Sequence, residues 1–330
     1  MSDATDTTRL RWGIAATGSI AADMCEALRT LPDAEIVAVG SRTREAADAF
    51  AQRFAIPRAH SSYEALWADD DVDIVYVASP HSHHHDMTIA ALDAGKHVLC
   101  EKAFAVNAAQ AREMVEAARR NDRFLMEGMW SWFIPAVVDI RRRVLDGEIG
   151  ELKVVEANFG IPVTDPDGRH RRIDLAGGAM LDIGIYPVTF ARFLAGDPID
   201  VKVSGSLGDT GVDATVGGVV TYASGALGVF HTSLDMMTSF AASVYGTLGR
   251  IDVDAPFWFP NGFTVRLTGH DPVRIDMAHQ GLAHEAAHAM QRIRDGHLES
   301  DVITLATSVS TMELLDEIRS QLGVIYPEER

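Results

Sequence analysis

Between Leu10 and Glu127 the chain alternates short β-branched runs with amphipathic stretches, and this rhythm constrains the fold more than any other feature. "LRWGIAA", "EIVAVG", "VDIVYVA", "KHVLC" and "RFLME" read as strands, and the segments between them read as helices. Helix-start chemistry agrees with that division. Asn107 with Gln110 opens "NAAQAREMVEAARR" as a capping box, Ser61 with Glu64 forms another, and Thr43 is an N-cap for "REAADAFAQRF". Strands joined by helices pair in parallel, so this half is expected to be a doubly wound parallel α/β sheet of Rossmann type. After about Gly128 the rhythm changes. A helix ("VVDIRRRVL") leads to a strand ("ELKVVEANFG"), strand-like runs follow from Val201 to Leu267, and helices near 282–295 and 303–322 close the chain. That order predicts an α+β unit with a large, mostly antiparallel open sheet. Because 330 residues exceed what one core organises, two domains are expected, 1–127 and 128–330.

Composition removes several classes of function. Forty-seven acidic against twenty-nine basic residues leave a net charge of −18, which opposes binding to DNA, RNA or an anionic membrane unless a local basic patch overrides it. The densest basic stretches, "RHRR" at 169–172 and "RRR" at 141–143, are short and lie among acids. The only cysteines, Cys25 and Cys100, form no CxxC, as expected for a reducing cytosol. The opening "MSDATDTTR" has no apolar core, and no later run reads as a span of about 20 apolar residues. A cytoplasmic protein acting on small molecules is the expectation.

The first strand runs into "AATGSIA". Read against the G-x-G-x-x-G/A fingerprint, Ala16-Thr17-Gly18-Ser19-Ile20-Ala21 keeps the central glycine, which lets backbone approach a pyrophosphate, and the closing small residue, but lacks the first glycine. Ligands of doubly wound sheets sit beyond the carboxyl ends of the strands. There the sequence places Gly18, then Ser41-Arg42, then Ser79-Pro80-His81 with His84, and then Glu101-Lys102. The second strand ends in "GSRTR" and lacks an acid to bind a ribose 2′-hydroxyl. A hydroxyl and a guanidinium suit a 2′-phosphate, so NADP is expected as the cofactor, with NAD possible.

In the second half, "GGAMLDIGIYP" (177–187) sets Asp182 and Tyr186 four apart in an otherwise apolar segment. On a helix the two share a face. They can form part of a site, or Asp182 can bond locally while Tyr186 packs in a core.

With these residues in view, the chain resembles the Gfo/Idh/MocA oxidoreductase family, and within it the branch of dimeric dihydrodiol and NADP-dependent xylose dehydrogenases. "LRWGIAATGSIA", "SYEAL", "DIVYVASPHSHHHDMTIAALDAGKHVLCEK", "FLMEGMW", "GGAMLDIGIYP" and the tail from "RDGHLESDVI" to "LLDEIRSQLGVIYPEE" carry the resemblance almost end to end. It implies a dinucleotide-binding first domain, a second domain that binds substrate and forms a homodimer or higher oligomer through its sheet, a reaction site of Lys102, Asp182 and Tyr186, and a cofactor-side His84. Ala103 departs from the family's Glu-Lys-Pro, and Ala16 from its glycine.

Oxidising a secondary or anomeric alcohol needs a hydride acceptor and a base. Tyr186 is the expected acid/base, and an ammonium at Lys102 favours its phenolate by charge. Asp182 then orients substrate or balances the lysine. A Tyr-x-x-x-Lys pair on one helix is not available, since none of the six tyrosines has Lys four residues on. Trp130, Trp132 and Phe133 are placed to stack on a sugar or arene ring or to pack a core. His170, Arg171 and Arg172 are placed to reach substrate hydroxyls, and Arg172 is taken as the substrate ligand among them. The substrate class is a sugar, a cyclic polyol or a trans-dihydrodiol.

Two other readings come from the same residues. "HEAAH", His284-Glu285 to His288, fits H-E-x-x-H of zinc hydrolases, and the run His81, His83, His84, His85 offers imidazoles to a metal. The expectation favours nucleotide-edge polarity for the run and no metal. A catalytically inactive nucleotide-binding protein of the same fold is the third reading.

Overall fold

The structure is a computed structural model that describes residues 9–329. It contains two compact units, the first formed by 9–105, 109–128 and 282–308, the second by 106–108, 129–281 and 309–329.

In the first unit the chain runs β1 (Leu10–Ala15), α1 (Ser19–Arg29), β2 (Ala34–Gly40), α2 (Arg44–Arg53), β3 (Arg58–His60), α3 (Tyr63–Trp67), β4 (Ile74–Val77), α4 (His84–Asp93), β5 (His97–Glu101), α5 (Ala108–Arg120) and β6 (Leu125–Gly128). The sheet order is β3-β2-β1-β4-β5-β6, and all pairs are parallel, as predicted. The central strand β4 (IVYV) is buried at every residue, as in a sheet covered on both faces, whereas β3 at the edge (RAH) is only half-buried. Registers Ala15↔Gly40, Ala15↔Val77, Val77↔Cys100 and Glu101↔Gly128 bring the carboxyl ends to one edge. β1 lies between β2 and β4, where the strand order reverses, so the loop after β1 opens at the switch point.

Local chemistry explains the helix starts. Thr43 caps α2, its Oγ1 accepting from Ala46 N at 3.2 Å. The cap of α3 is Ser62, accepting from Ala65 N at 3.2 Å, and not Ser61. The S-x-x-E spacing points to 61, but the helix starts one residue later. α3 reaches the sheet because Gly13 and Gly40 leave room: Cβ atoms there would lie 3.2 and 3.0 Å from the Leu66 methyls.

The second unit contains α6 (Pro135–Leu145), β7 (Leu152–Gly160), α7 (Ile185–Ala195), β8 (Pro198–Leu207), β9 (Asp213–Tyr222), β10 (Leu227–Ser233), β11 (Ala242–Gly246), β12 (Gly249–Val253), β13 (Gly262–Leu267) and β14 (Val273–Asp276). Its strands form one eight-stranded sheet, β14-β13-β12-β11-β7-β10-β9-β8, antiparallel except for β7 with β10. α7 lies over β7 and β10. The helical stretch Ile173–Ala195 is long and apolar enough by hydropathy to cross a membrane, yet 83% of its apolar window is buried inside the structure. Its apolarity is that of a core helix.

The compact units differ from a division at 127/128 in that 128 falls in the first unit, 106–108 in the second and 282–308 in the first. α8 (Ala283–Arg294), together with the turn that leads to α9 (Leu305–Leu322), groups with the first unit. α8 packs against α1, and Trp12 Nε1 of β1 approaches Met290 Sδ at 3.4 Å. Sequence order hides this return because nothing local marks it.

Leu66 is fully buried between α3 and the two glycines. Leu66→Ala is expected to destabilise the chain by about 2–5 kcal/mol in urea unfolding. Ile199→Ala, at a side chain 67% exposed, should change stability by less than about 0.5 kcal/mol.

Candidate active site

The edge of the first unit's sheet carries the predicted cofactor residues in the order the strands arrive. After β1, Ala16 holds φ +96, a region glycine favours, and Ala16 N donates to Gly40 O at 3.1 Å. Thr17 and Ile20 are half-buried, while Gly18 and Ser19 are exposed. Gly18 precedes α1 in extended backbone, and a Cβ there would meet nothing within 4 Å. α1 has no side-chain cap and no acid in its first turn. Its first N–H groups therefore face open space with only the positive end of the helix dipole, which fits the pyrophosphate of a dinucleotide.

Ser41 is buried beyond β2, its N donating to His60 O at 3.1 Å, whereas Arg42 is exposed. The charge of Arg42 acts on the Tyr63 phenol, whose ring stacks on Trp67 with centroids 6.0 Å apart. After β4, Ser79 and Pro80 are half-buried and His81 is buried, its ring meeting that of His84 edge-on at 5.5 Å. His84 is fully buried between two carbonyls, Nδ1 2.8 Å from Ala103 O and Nε2 2.9 Å from Ser79 O. Burial pushes its imidazole down to about 4, while the two carbonyls act the other way by accepting from the ring. It ties the loop after β4 to the loop after β5.

Glu101, at the end of β5, is turned inward. Tyr76 donates its hydroxyl to Glu101 Oε1, and Glu101 Oε2 accepts from Lys102 N at 3.2 Å. Glu127, one strand over, accepts from Phe104 N at 3.2 Å. Lys102 is half-buried, and the Lys102–Ala103 peptide is cis.

The same unit contains the H-E-x-x-H pattern. On α8, His284 and His288 are half-buried, and His288 Nε2 lies 2.8 Å from Ser300 Oγ. Glu285 sits on the other side of the helix in the core. Both its oxygens lack a hydrogen-bond partner, and burial with the charges of Glu101 and Glu127 holds its carboxyl well above the usual range. Among the described residues no group of three His, Cys, Asp or Glu side chains is placed to hold a metal ion.

In the second unit the quoted segment is a π-helical turn, Met180–Gly184, continuing into α7. π turns recur at functional sites. Asp182 is 5% exposed and is held by Arg169 Nη2 at 2.9 Å and His170 Nε2 at 3.0 Å. Tyr186 is 7% exposed, and its hydroxyl accepts from Trp130 Nε1 at 2.9 Å. Arg172 is exposed and pairs with Asp174, so the basic cluster meets Asp182 through Arg169 and His170. Arg171 bonds the Val163 and Leu234 carbonyls and Asp235. Trp132 packs on Phe193 at 4.5 Å, and it and Phe133 are buried in the core.

Around Tyr186 stands an aromatic wall that sequence reading missed. Phe159 stacks on Trp258 with centroids 3.8 Å apart, both rings lie within 6.0 Å of Tyr186, and Phe259 stacks on Trp130 at 5.5 Å. The one local signal was "FWF" at 257–259. Half-buried Trp130 and the neighbouring rings offer flat apolar faces beside the Tyr186 hydroxyl, an arrangement suited to a ring-shaped ligand with hydroxyls.

Known proteins agree in sequence and fold. Residues 10–129 match the model of an oxidoreductase family with an NAD-binding Rossmann fold, and residues 137–252 match the GFO/IDH/MocA C-terminal domain. Trans-1,2-dihydrobenzene-1,2-diol dehydrogenase of Homo sapiens is 38% identical over 97% of this chain and 99% of its own. The enzyme of that name from Xenopus laevis is 37% identical over 96% and 99%. A 3-ketoreductase from Actinomadura kijaniata, solved with NADP and TDP-benzene, superposes with a TM-score of 0.84 at 27% identity over 95% of this chain and 98% of that one. An aldose-aldose oxidoreductase from Caulobacter crescentus, complexed with glycerol, gives 0.86 at 25% over 95% and 97%.

Ala16 carries a Cβ where backbone at positive φ disfavours one. Ala16→Gly is expected to raise unfolding free energy by about 1 kcal/mol in chemical denaturation.

Proposed function

The chain belongs to the Gfo/Idh/MocA oxidoreductase family, and on that premise we propose that it oxidises a secondary or anomeric hydroxyl on a ring bearing adjacent hydroxyls, using NADP. It is an NAD(P)-dependent dehydrogenase. The observation that carries the finer reading is the Tyr186 hydroxyl, bonded to Trp130 inside the aromatic wall and on the same helical segment as Asp182.

The nicotinamide, when bound, exchanges a hydride with the carbinol carbon. In this reading Tyr186 exchanges the proton of the substrate oxygen, and Lys102 assists by favouring phenolate through its charge. Trp130 orients the phenol by donating to its oxygen. Asp182, whose charge is shared with Arg169 and His170, is better suited to orienting substrate hydroxyls than to balancing Lys102. Trp130, with Trp258 and Phe259, binds the ring face. Arg172 is paired with Asp174, and it is Arg169 and His170 of the same cluster that reach Asp182.

Pyrophosphate rests in this reading on Ala16 to Ile20 at the start of α1. Arg42 and Ser41 bind the 2′-phosphate, because a planar, permanently charged fork suits a dianion. Ser79, Pro80 and His81 border the cofactor, and Glu101 and His84 set the loops around them. Trans-dihydrodiols, aldopyranoses and cyclic polyols share the chemistry of a ring with neighbouring hydroxyls, and the relatives' names favour the first. The homodimer or higher oligomer belongs to the same reading, with exposed Val219, Leu227 and Val273 on the second unit's sheet as candidate contacts.

The test is a panel of dihydrodiols, aldoses and polyols with NADP⁺ or NAD⁺, followed by nicotinamide absorbance. Turnover of a ring diol, faster with NADP⁺, is expected. Arg42→Ala should weaken NADP⁺ binding at least about tenfold while leaving NAD⁺ within about twofold. No turnover of any ring hydroxyl with either cofactor contradicts the reading.

A further inference from the structure

The segment that bears Asp182 and Tyr186 begins without a cap of its own. Ala179, the residue before its first turn, makes no side-chain hydrogen bond there. The free N–H groups of a helix start need a partner when buried. One arrives from a distant strand: Asp213, at the start of β9 and fully buried, accepts from Met180 N through Oδ2 at 2.6 Å.

We propose that Asp213 is a positioning residue for the reaction: its carboxyl fixes the first turn of the helical segment that presents Asp182 and Tyr186, and Gly178 is glycine so that the carboxyl can reach it. This rests on the reading of Tyr186 and Asp182 given above. A Cβ on Gly178 would lie 2.2 Å from Asp213 Oδ1, and the residue holds φ +124. Gly177 is confined as tightly, since a Cβ there would lie 2.6–2.8 Å from the carbonyl oxygens of Arg169, His170 and Arg172. Its own carbonyl accepts the Tyr326 hydroxyl at 2.8 Å. The entry to the helix is thus held from two directions, by the tail at Gly177 and by β9 at Met180.

Asp182 follows Met180 by two residues and Tyr186 follows it by six, so a displaced first turn moves both. A misplacement of about 1 Å costs on the order of a hundredfold in rate. A merely structural carboxylate would be expected to face a dedicated cation. The cation acting on Asp213 is Arg319, whose guanidinium is already bound to Asp316 and Glu329 and lies over the Tyr326 ring. Nearby Arg171 bonds Asp235. Oδ1 has no hydrogen-bond partner, and burial pushes the carboxyl up to about 7. Backbone N–H groups, that of Met180 first, favour the ionised form against this burial. Asparagine keeps a side-chain oxygen for the Met180 bond; alanine removes it.

The test compares Asp213→Ala, Asp213→Asn and Gly178→Ala. Amide exchange over 178–184 should accelerate at least about tenfold in Asp213→Ala and Gly178→Ala, with kcat falling at least as far and NADP⁺ affinity held within about twofold. Asp213→Asn should restore both to within about threefold at pH 6, where asparagine mimics the protonated acid. Wild-type exchange and kcat in Asp213→Ala overturn the proposal.

A second measurement serves if Asp213→Ala does not fold. Burial holds the folded carboxyl above its ordinary 3.8, so the fold favours the protonated acid, and the stability of wild type relative to Asp213→Asn should decline from about pH 4 to about pH 7 and then level. Gly178→Ala leaves the carboxyl in place and supplies the deciding readout: wild-type exchange over 178–184 in that variant overturns the proposal. Exchange and stability need no substrate, so absent turnover on every ring hydroxyl would defeat the functional reading while leaving this one to be judged.

Discussion

A phenol and a carboxylate stay inside an apolar helical segment only if each is given a polar partner, because an unmet buried polar group costs more than a hydrogen bond returns. The second unit meets that constraint from several parts of the chain. Trp130 reaches Tyr186, Arg169 and His170 reach Asp182, Asp213 reaches Met180, and Tyr326 reaches Gly177. The partners come from four separate parts of the chain, so the segment's position is the sum of the unit's packing. The apolar residues between these anchors make it a core helix, and the anchors make it a site.

The first unit solves a different problem, that of presenting backbone to an anion. Parallel pairing with register Ala15↔Gly40 and Ala15↔Val77 opens the turn after β1, and the uncapped start of α1 leaves N–H groups there. The loops around it are set from below by buried polar side chains. His84 joins Ser79 to Ala103, Tyr76 holds Glu101, and Glu127 holds Phe104. Glu285 adds a third buried carboxyl, raised by burial first and then by its neighbours' charge. The H-E-x-x-H spacing on α8 therefore splits: the histidines face one side and the acid serves the core.

Sequence alone carried the architecture well where periodicity is strong. Five of the first unit's strands were legible as β-branched runs, whereas β3, with three residues, was too short to register. Ser62 was missed in favour of Ser61 because a spacing rule does not locate the first helical turn. The return of 282–308 to the first unit was invisible, since membership of a core is a tertiary fact. At the site, Asp182 and Tyr186 stood out as polar residues in apolar surroundings. Phe159, Trp258 and Phe259 did not, because residues a hundred apart look like ordinary core until the sheet folds them onto one phenol. The choice of Arg169 over Arg172 was equally hidden, since neighbouring arginines differ only in which way the loop turns them.

Whether the Tyr186 hydroxyl exchanges the substrate's proton is tested most directly by a single-turnover measurement on Tyr186→Phe. With NADP⁺ and the ring diol identified by assay, hydride transfer should slow by about a hundredfold or more while NADP⁺ affinity stays at the wild-type value. Transfer at close to the wild-type rate would contradict the account.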